Sequence, residues 1–275
     1  MRDMVKLNTN MRSTLTENRP SARAQLSAST LAPKHTILKP GKSKPACSCQ
    51  VNALQELESF SYAISHDLRA PVRHISGFVE MLERNAAREL SKENLGLLKV
   101  LSDSSKALAR MLDGLLAYSR AGRVEFAPSA VDLNALVRHL SQSSQLEHRD
   151  RKISWAVKPL GSIKADPESI RQIFAQLICN AVKFTRRQAK AHIEIGRQQL
   201  PGESVFYVRD NGAGFNPAYA HKLFGVFQRL HTAAEFDGVG IGLACVHRLV
   251  ARHGGRTWAE GAEGAGATFY FSIGG

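Results

Sequence analysis

Residues 60–71 read FSYAISHDLRAP, with His66 beside Asp67 and Pro71 five residues beyond the histidine. A carboxylate next to an imidazole accepts the N–H of one ring nitrogen. That sets the tautomer and leaves the other nitrogen free as a nucleophile. Taken alone, an exposed histidine on a helix is usually a solvated surface residue. A second group of candidate residues lies in IRQIFAQLICNAVKFT. Ile173, Phe174, Leu177, Ile178, Ala181 and Val182 fill one face of a helix, and Gln172, Gln176, Asn180 and Lys183 form a polar line on the other. An amide oxygen suits a hydrated Mg²⁺, and a lysine one turn on suits phosphate oxygens. The same pattern also suits an ordinary amphipathic surface helix.

Further along, the strand SVFYVRD runs into DNGAGF. Gly212 and Gly214 allow close backbone approach to a flat ligand, and Asp210 can accept a hydrogen bond from an exocyclic amine such as that of adenine. Read alone, the segment is also a turn. In GVGIGLACVHRLVARHGG, Gly238, Gly240 and Gly242 precede a helix whose first N–H groups are free for phosphates. The spacing is neither the Rossmann fingerprint nor a Walker loop. Three pieces in this order suit three parts of Mg-ATP. The polar stretch between Gly214 and Gly238, with Phe224, Phe227 and Arg229, reads as a mobile cover over a nucleotide. Arg229 either reaches a terminal phosphate or is a surface arginine.

Two helices must carry the histidine. Leu54, Leu57, Ser61, Ile64, Leu68, Pro71, Ile75, Phe78 and Leu82 step by threes and fours, a heptad seam. Leu98, Leu101, Ser105, Leu108, Leu112, Leu115 and Ser119 repeat the rule, widened by Leu97, Met111 and Leu116. Joined by a short connection they make a hairpin with too small a core to stand alone, so two copies are expected to form a four-helix bundle. With Leu54 at position a, His66 falls at f and points away from the seam. Pro71 removes a donor to the Asp67 carbonyl, which predicts a bend past the histidine. Beyond residue 125, VDLNALVRHL reads as a helix, and KISWAVK, HIEIGRQQ, SVFYVRD and ATFYFSI read as strands, with a hairpin signal at Pro201 and Gly202. This is one α/β domain. The divisions are a basic arm at 1–49, a hairpin at 50–124 and an α/β domain at 125–275.

The 275 residues are 43% hydrophobic and 22% charged, a globular mixture with no apolar run long enough to span a bilayer. The formal charge of +13 is concentrated in residues 1–49, which hold nine Lys or Arg against two Asp or Glu. A nucleic-acid role for the folded part is therefore not expected. The arm reads as disordered, or as a presequence that lacks a convincing amphipathic helix. The first thirty residues have no signal-peptide core. The four cysteines include a CSC at Cys47 and Cys49 without evident partner ligands, and Cys179 and Cys245 lie in helical settings. This suits a reducing cytoplasm rather than a disulfide framework.

From about residue 50 to 275 the sequence resembles the sensor histidine kinases of two-component signalling. SHDLRAP resembles the H box, QLICNAVKFT the N box, DNGAGF, GVGIGLA and GAGATF the three glycine boxes, and KLFGVFQRL the F box. The phytochrome- and PAS-linked subgroup is the most similar. The resemblance implies a dimeric phosphoacceptor hairpin through residues 50–124, followed by a Bergerat-type ATP-binding α/β two-layer sandwich (α+β). It implies His66 as phosphoacceptor, Asp67 as its acid–base partner, Asn180 as a Mg²⁺ ligand, Lys183 and Arg229 near phosphates, and Asp210 on the adenine amine. Gly212, Gly214, Gly238, Gly240, Gly242 and Leu243 would line the pocket and lid, with Thr268 near the adenine end. The implied activity is ATP-dependent autophosphorylation of His66 and transfer to an aspartate of a response regulator receiver domain. No sensor domain is recognisable before the hairpin, so a separate sensor protein is a further expected partner.

Three positions depart from the family pattern. Gln176 stands where these kinases carry Asn and related ATPases carry a Glu base, and a Gln cannot activate water, which disfavours plain ATP hydrolysis. Val239 replaces a Thr hydroxyl beside the phosphates. Ala70 replaces a Thr or Asn that orients a water for dephosphorylating the partner. A rival reading is a non-catalytic dimeric adaptor that modulates other kinases, and nucleotide affinity separates the two.

Overall fold

The computed structural model describes residues 48–85, 90–123, 125–200, 203–232 and 234–274, with side chains from Tyr62 onward. The basic arm up to Cys47, the side chains of Cys49, Leu54, Leu57 and Ser61, and the Pro201–Gly202 turn lie outside the described residues. Helix α1 (Ser48–Asn85) and helix α2 (Lys92–Ala121) form the hairpin. Ser91 caps α2, accepting the Asn94 N–H at 3.2 Å.

The apolar seam anticipated from the heptads closes this hairpin on α2 in part, but not on α1. Among the described residues, Ser65, Val72 and Val79 are the buried ones on α1, and on α2 they are Leu98, Ser102, Ser105, Leu112, Leu116, Ser119 and Ala121. Between the helices the Ser76 and Ser105 hydroxyls hydrogen-bond at 2.8 Å. On α1 the anticipated stripe lies one residue round from the buried face and is uncovered, whereas on α2 its Leu98, Ser105, Leu112 and Ser119 are buried and its Leu101 and Leu108 are not. Ile75 is 50% and Phe78 65% exposed, as are Leu101 and Leu108 in similar degree on α2. Serines in the intrachain face let the helices approach closely there, while Ile75, Phe78, Leu101 and Leu108 stay free for a second layer. The α-helix runs unbroken through Pro71 to Asn85. Packing of Val72 and Val79 on α2 holds it together beyond the proline.

After the hairpin come β1 (Ser129–Asp132), α3 (Leu133–Glu147), β2 (Ile153–Val157), β3 (Ser162–Ala165) and α4 (Pro167–Phe184). They are followed by β4 (Ala191–Leu200), β5 (Glu203–Asp210), a 3₁₀ turn at Pro217–Lys222, α5 (Gly242–Arg252), β6 (Thr257–Ala262) and β7 (Gly266–Ile273). Strands β1 and β3 pair with each other, and the main sheet has the order β2-β4-β5-β7-β6, antiparallel except for β2–β4. The four strands expected from sequence are β2, β4, β5 and β7. The β1–β3 ribbon was not foreseen, because four-residue strands carry too little alternation, and neither was β6, whose TWAEGA is poor in β-branched residues.

The ribbon delivers two helix starts. Asp132 accepts the N–H groups of Asn134 and Ala135, and Asp166 accepts that of Ser169 at 2.8 Å. Helices α3, α4 and α5 then cover one sheet face. Ile173, Phe174, Leu177 and Ile178 of α4 pack with Phe206, Val208, Phe269 and Phe271. Phe174 is fully buried, with edge contacts to Phe206 and Phe271 at 6.2 and 5.2 Å between centroids. We expect Phe174→Ala to cost roughly 3–5 kcal/mol. Urea unfolding of the variant against the parent measures it, and a loss below about 1 kcal/mol would show that the three rings do not form the centre of the core.

Candidate active site

His66 lies outward on α1, its side chain 67% exposed, while its neighbour Ser65 is fully buried. The heptad placement anticipated that direction. His66 Nδ1 and Asp67 Oδ1 are 3.2 Å apart. Because the carboxylate accepts, Nδ1 carries the proton, and the neutral ring keeps its lone pair on Nε2. One turn on, Arg69 donates to Asp113 Oδ1 of α2 at 2.8 Å and ties the histidine's turn to the second helix.

The nucleotide-site candidates gather around the C-terminal half of α4. Its apolar side, buried in the core, rotates Gln176, Asn180 and Lys183 away from the sheet. Gln176 Nε2 donates to Asn180 Oδ1 at 3.4 Å. The Gln176 amide also occupies the space a side chain at Gly242 would need, so the two pack closely at the start of α5. That helix begins without a side-chain cap, which leaves its first N–H groups for a ligand. Lys183 lies beside Gly238, within 3.4 Å of where a Cβ would stand. Burial pulls its ammonium below the usual lysine value. Cys179 and Asp237 act against that, while Arg229 and Arg186 add to it. The cations thus outnumber the acids at this end of α4, an arrangement suited to phosphates.

Asp210 ends β5 and is buried, its Oδ1 accepting the Gly212 N–H at 2.8 Å. Burial pushes its carboxyl up to about 6, against the hydrogen bonds from Gly212 and Ala267. Gly214 has φ of +64°, and a side chain there would collide with the Ala262 carbonyl. Its own carbonyl accepts from His231 Nε2 at 2.8 Å. Gly240 backs onto the Gln228 carbonyl, and Leu243 packs against the main core.

Two candidates are placed differently from expectation. Thr268 pairs across the sheet with Arg209, and its hydroxyl accepts from Arg209 Nε at 3.2 Å. Side chains alternate along a strand, so Thr268 faces away from Asp210, and Ala267 is the residue opposite that carboxylate. Arg229, read from sequence as either a phosphate ligand or a surface residue, donates to the Phe236 carbonyl at 2.7 Å and braces the loop. Phe236, which sequence reasoning missed, anchors that loop. It is buried against Phe184 and His231, with Arg186 and Arg187 stacked on its ring. A lone aromatic in a polar stretch was the available signal. The loop also meets the hairpin, since Ile241 packs into the notch left by Gly114 of α2, next to Asp113.

A model of histidine kinase-, DNA gyrase B- and HSP90-like ATPases matches residues 165–274, and one of the His Kinase A phospho-acceptor domain matches residues 56–123. The chain belongs to the two-component histidine kinases. It is 34% identical over 221 residues to cyanobacterial phytochrome A of Nostoc sp., covering 79% of this chain and 28% of that relative. It is also 34% identical over 221 residues to the methanogenesis regulatory histidine kinase FilI of Methanothrix harundinacea, covering 79% of this chain and 24% of the relative. Full-length ShkA, solved in complex with AMPPNP, matches with a TM-score of 0.56 at 29% identity, over 78% of this chain and 45% of that one. The chain spans less than a third of the length of these curated relatives.

Residues 165–274 thus form an ATP-binding domain of this family. Among the described residues no group of three or more His, Cys, Asp or Glu could cage a metal, and no helix is long and apolar enough to cross a membrane. The donor set fits a Mg²⁺ carried in by the nucleotide. Asn180 Oδ1 is a buried amide oxygen that could serve as one ligand, with phosphates and water supplying the rest.

The Asp210 carboxyl sets a pH dependence. Its folded value of about 6 lies above the ordinary carboxylate value of 3.8. The folded chain therefore holds more protons than the unfolded chain between those limits, and stability falls as pH rises through them. Asp210→Asn removes this effect. Relative to the parent, its stability without nucleotide should improve between pH 4 and 7 by on the order of 2 kcal/mol. Urea titrations across that range measure the difference, and one that does not move with pH contradicts the burial assigned to Asp210.

Proposed function

We propose that the chain autophosphorylates His66 from ATP and passes the phosphoryl group to an aspartate of a response regulator receiver domain. The observation that carries the reading is the exposed His66 with Nδ1–H on Asp67 and Nε2 free. Nε2 attacks the γ-phosphorus, the bond to the β-phosphate oxygen breaks, and ADP leaves. Positive charge grows on the ring as the P–N bond forms, and Asp67 stabilises it through Nδ1–H.

ATP would lie between the C-terminal half of α4 and the start of α5. Asp210 would accept the adenine amine, and Lys183 would face the phosphates. Mg²⁺, held by Asn180, would offset charge on the phosphate oxygens. Gln176 holds an amide where a general base would stand, which protects ATP from water. The Phe236 loop must lift from Phe184 to admit the nucleotide, and Arg229 is then released from the Phe236 carbonyl. Residues 1–49, 50–124 and 125–275 would serve as arm, dimerisation hairpin and ATP-binding domain. A cytoplasmic location and a separate sensor protein belong to the same reading.

The uncovered apolar stripes of α1 and α2 support a homodimer, since two hairpins placed stripe to stripe complete a four-helix bundle. Sedimentation velocity should show a dimer for the parent chain and a monomer for Phe78→Asp combined with Leu101→Asp. A monomeric parent would remove the bundle from the reading.

Incubation with γ-labelled ATP tests the chemistry. Label should enter the parent chain, fall by more than a hundredfold in His66→Gln, and transfer to a receiver domain. Equal labelling of His66→Gln would refute the assignment, and ATP binding without labelling of the parent would favour the adaptor.

A further inference from the structure

A groove of about 490 Å³ lies between α3 and the edge strand β2, lined by residues that take no part in the nucleotide site. One wall is apolar, formed by Trp155 and Val157, and the other is the face of α3 carrying Arg138, Ser141 and Gln145. The indole is pinned. Its N–H donates to Gln145 Oε1 at 3.1 Å, and Gln145 Nε2 in turn donates to the backbone carbonyls of His148 and Arg151. A flat surface held this way is ready for stacking.

Among the described residues, Ser141 Oγ is the buried side-chain polar atom with no hydrogen-bonding partner, and it lines this groove. Ser141 is only 6% exposed. A buried hydroxyl left unmatched is costly, and a ligand oxygen placed against it removes that cost. The charged groups of the lining are both cationic. Lys158 is already paired with Glu194 at 2.7 Å, whereas Arg138 has no acidic partner among the described residues.

We propose that this groove is a second ligand site, distinct from the nucleotide site, for a small planar aromatic anion. The ring stacks on Trp155 beside Val157. The acid group pairs with Arg138 and accepts the Ser141 hydroxyl. The volume falls in the range of small-molecule pockets. It is too small for a folded partner, and charge complementarity selects an acid over a neutral ring.

The probe is naphthalene carboxylate, titrated calorimetrically into the full chain, with naphthalene carboxamide as the uncharged control. Trp155 fluorescence in a Trp258→Phe background reports location, because the chain has two tryptophans. We expect saturable one-to-one binding that perturbs Trp155 and persists under saturating ATP. Arg138→Ala should weaken it about tenfold, as should the switch to the carboxamide, since a charged hydrogen bond is lost. Ser141→Ala should weaken it by a smaller factor. Arg138 is exposed, so its variant should keep the parent's circular dichroism spectrum. No saturable binding, displacement by ATP, or affinity unchanged in Arg138→Ala would each overturn the proposal.

Discussion

The rotation of α1 about its own axis is the constraint on which the rest depends. Ser65, Val72 and Val79 must face α2, because they are the α1 residues the hairpin buries. A helix turns about 100° per residue, so burying Ser65 sends His66 to the side and out into solvent. The same rotation leaves Ile64, Ile75 and Phe78 uncovered, a stripe suited to a second copy. One packing choice therefore sets both the exposure of the His66 ring and the uncovered apolar stripe. The Arg69–Asp113 pair repeats the register with polar groups one turn beyond the histidine. It is half-exposed, so it adds orientation more than stability.

An equivalent constraint orders the ATP-binding domain. The apolar side of α4 is fixed by the phenylalanines of the sheet, and the helix has no freedom to turn. Asn180 and Lys183 are directed by that burial, Asp210 by the end of β5, and the N–H groups of α5 by the fit of Gly242 against Gln176. The Phe236 loop is held by its own buried ring and by arginines, Arg229 bonding the Phe236 carbonyl and Arg186 the Glu235 carbonyl and Asp237.

Much of this was legible in the sequence, for identifiable reasons. Period and amphipathicity give the long helices, strands β2, β4, β5 and β7 and the outward direction of His66. They could not say which of two adjacent stripes of α1 closes the hairpin, because Ser65 and Ser76 look polar in sequence and are used as small packing residues. Nor could they show that Thr268 and Asp210 lie on opposite sheet faces. That depends on the β5–β7 register, which pairs Thr268 with Arg209 and Ala267 with Asp210. Motif order led to Thr268, whereas the register puts Ala267 opposite Asp210. The roles of Phe236 and of Ser141 depend on contacts far apart in the chain, and composition carries no trace of them.

The central claim is that Asp67 holds the proton on Nδ1, so that the free and reactive nitrogen of His66 is Nε2. Phosphorus NMR of the chain after incubation with ATP and denaturation in alkali tests it, since the two phosphohistidine isomers give separate resonances. The account predicts one signal, from phosphorus on Nε2, that is lost in His66→Gln. Phosphorus on Nδ1, or on any residue other than His66, would contradict it.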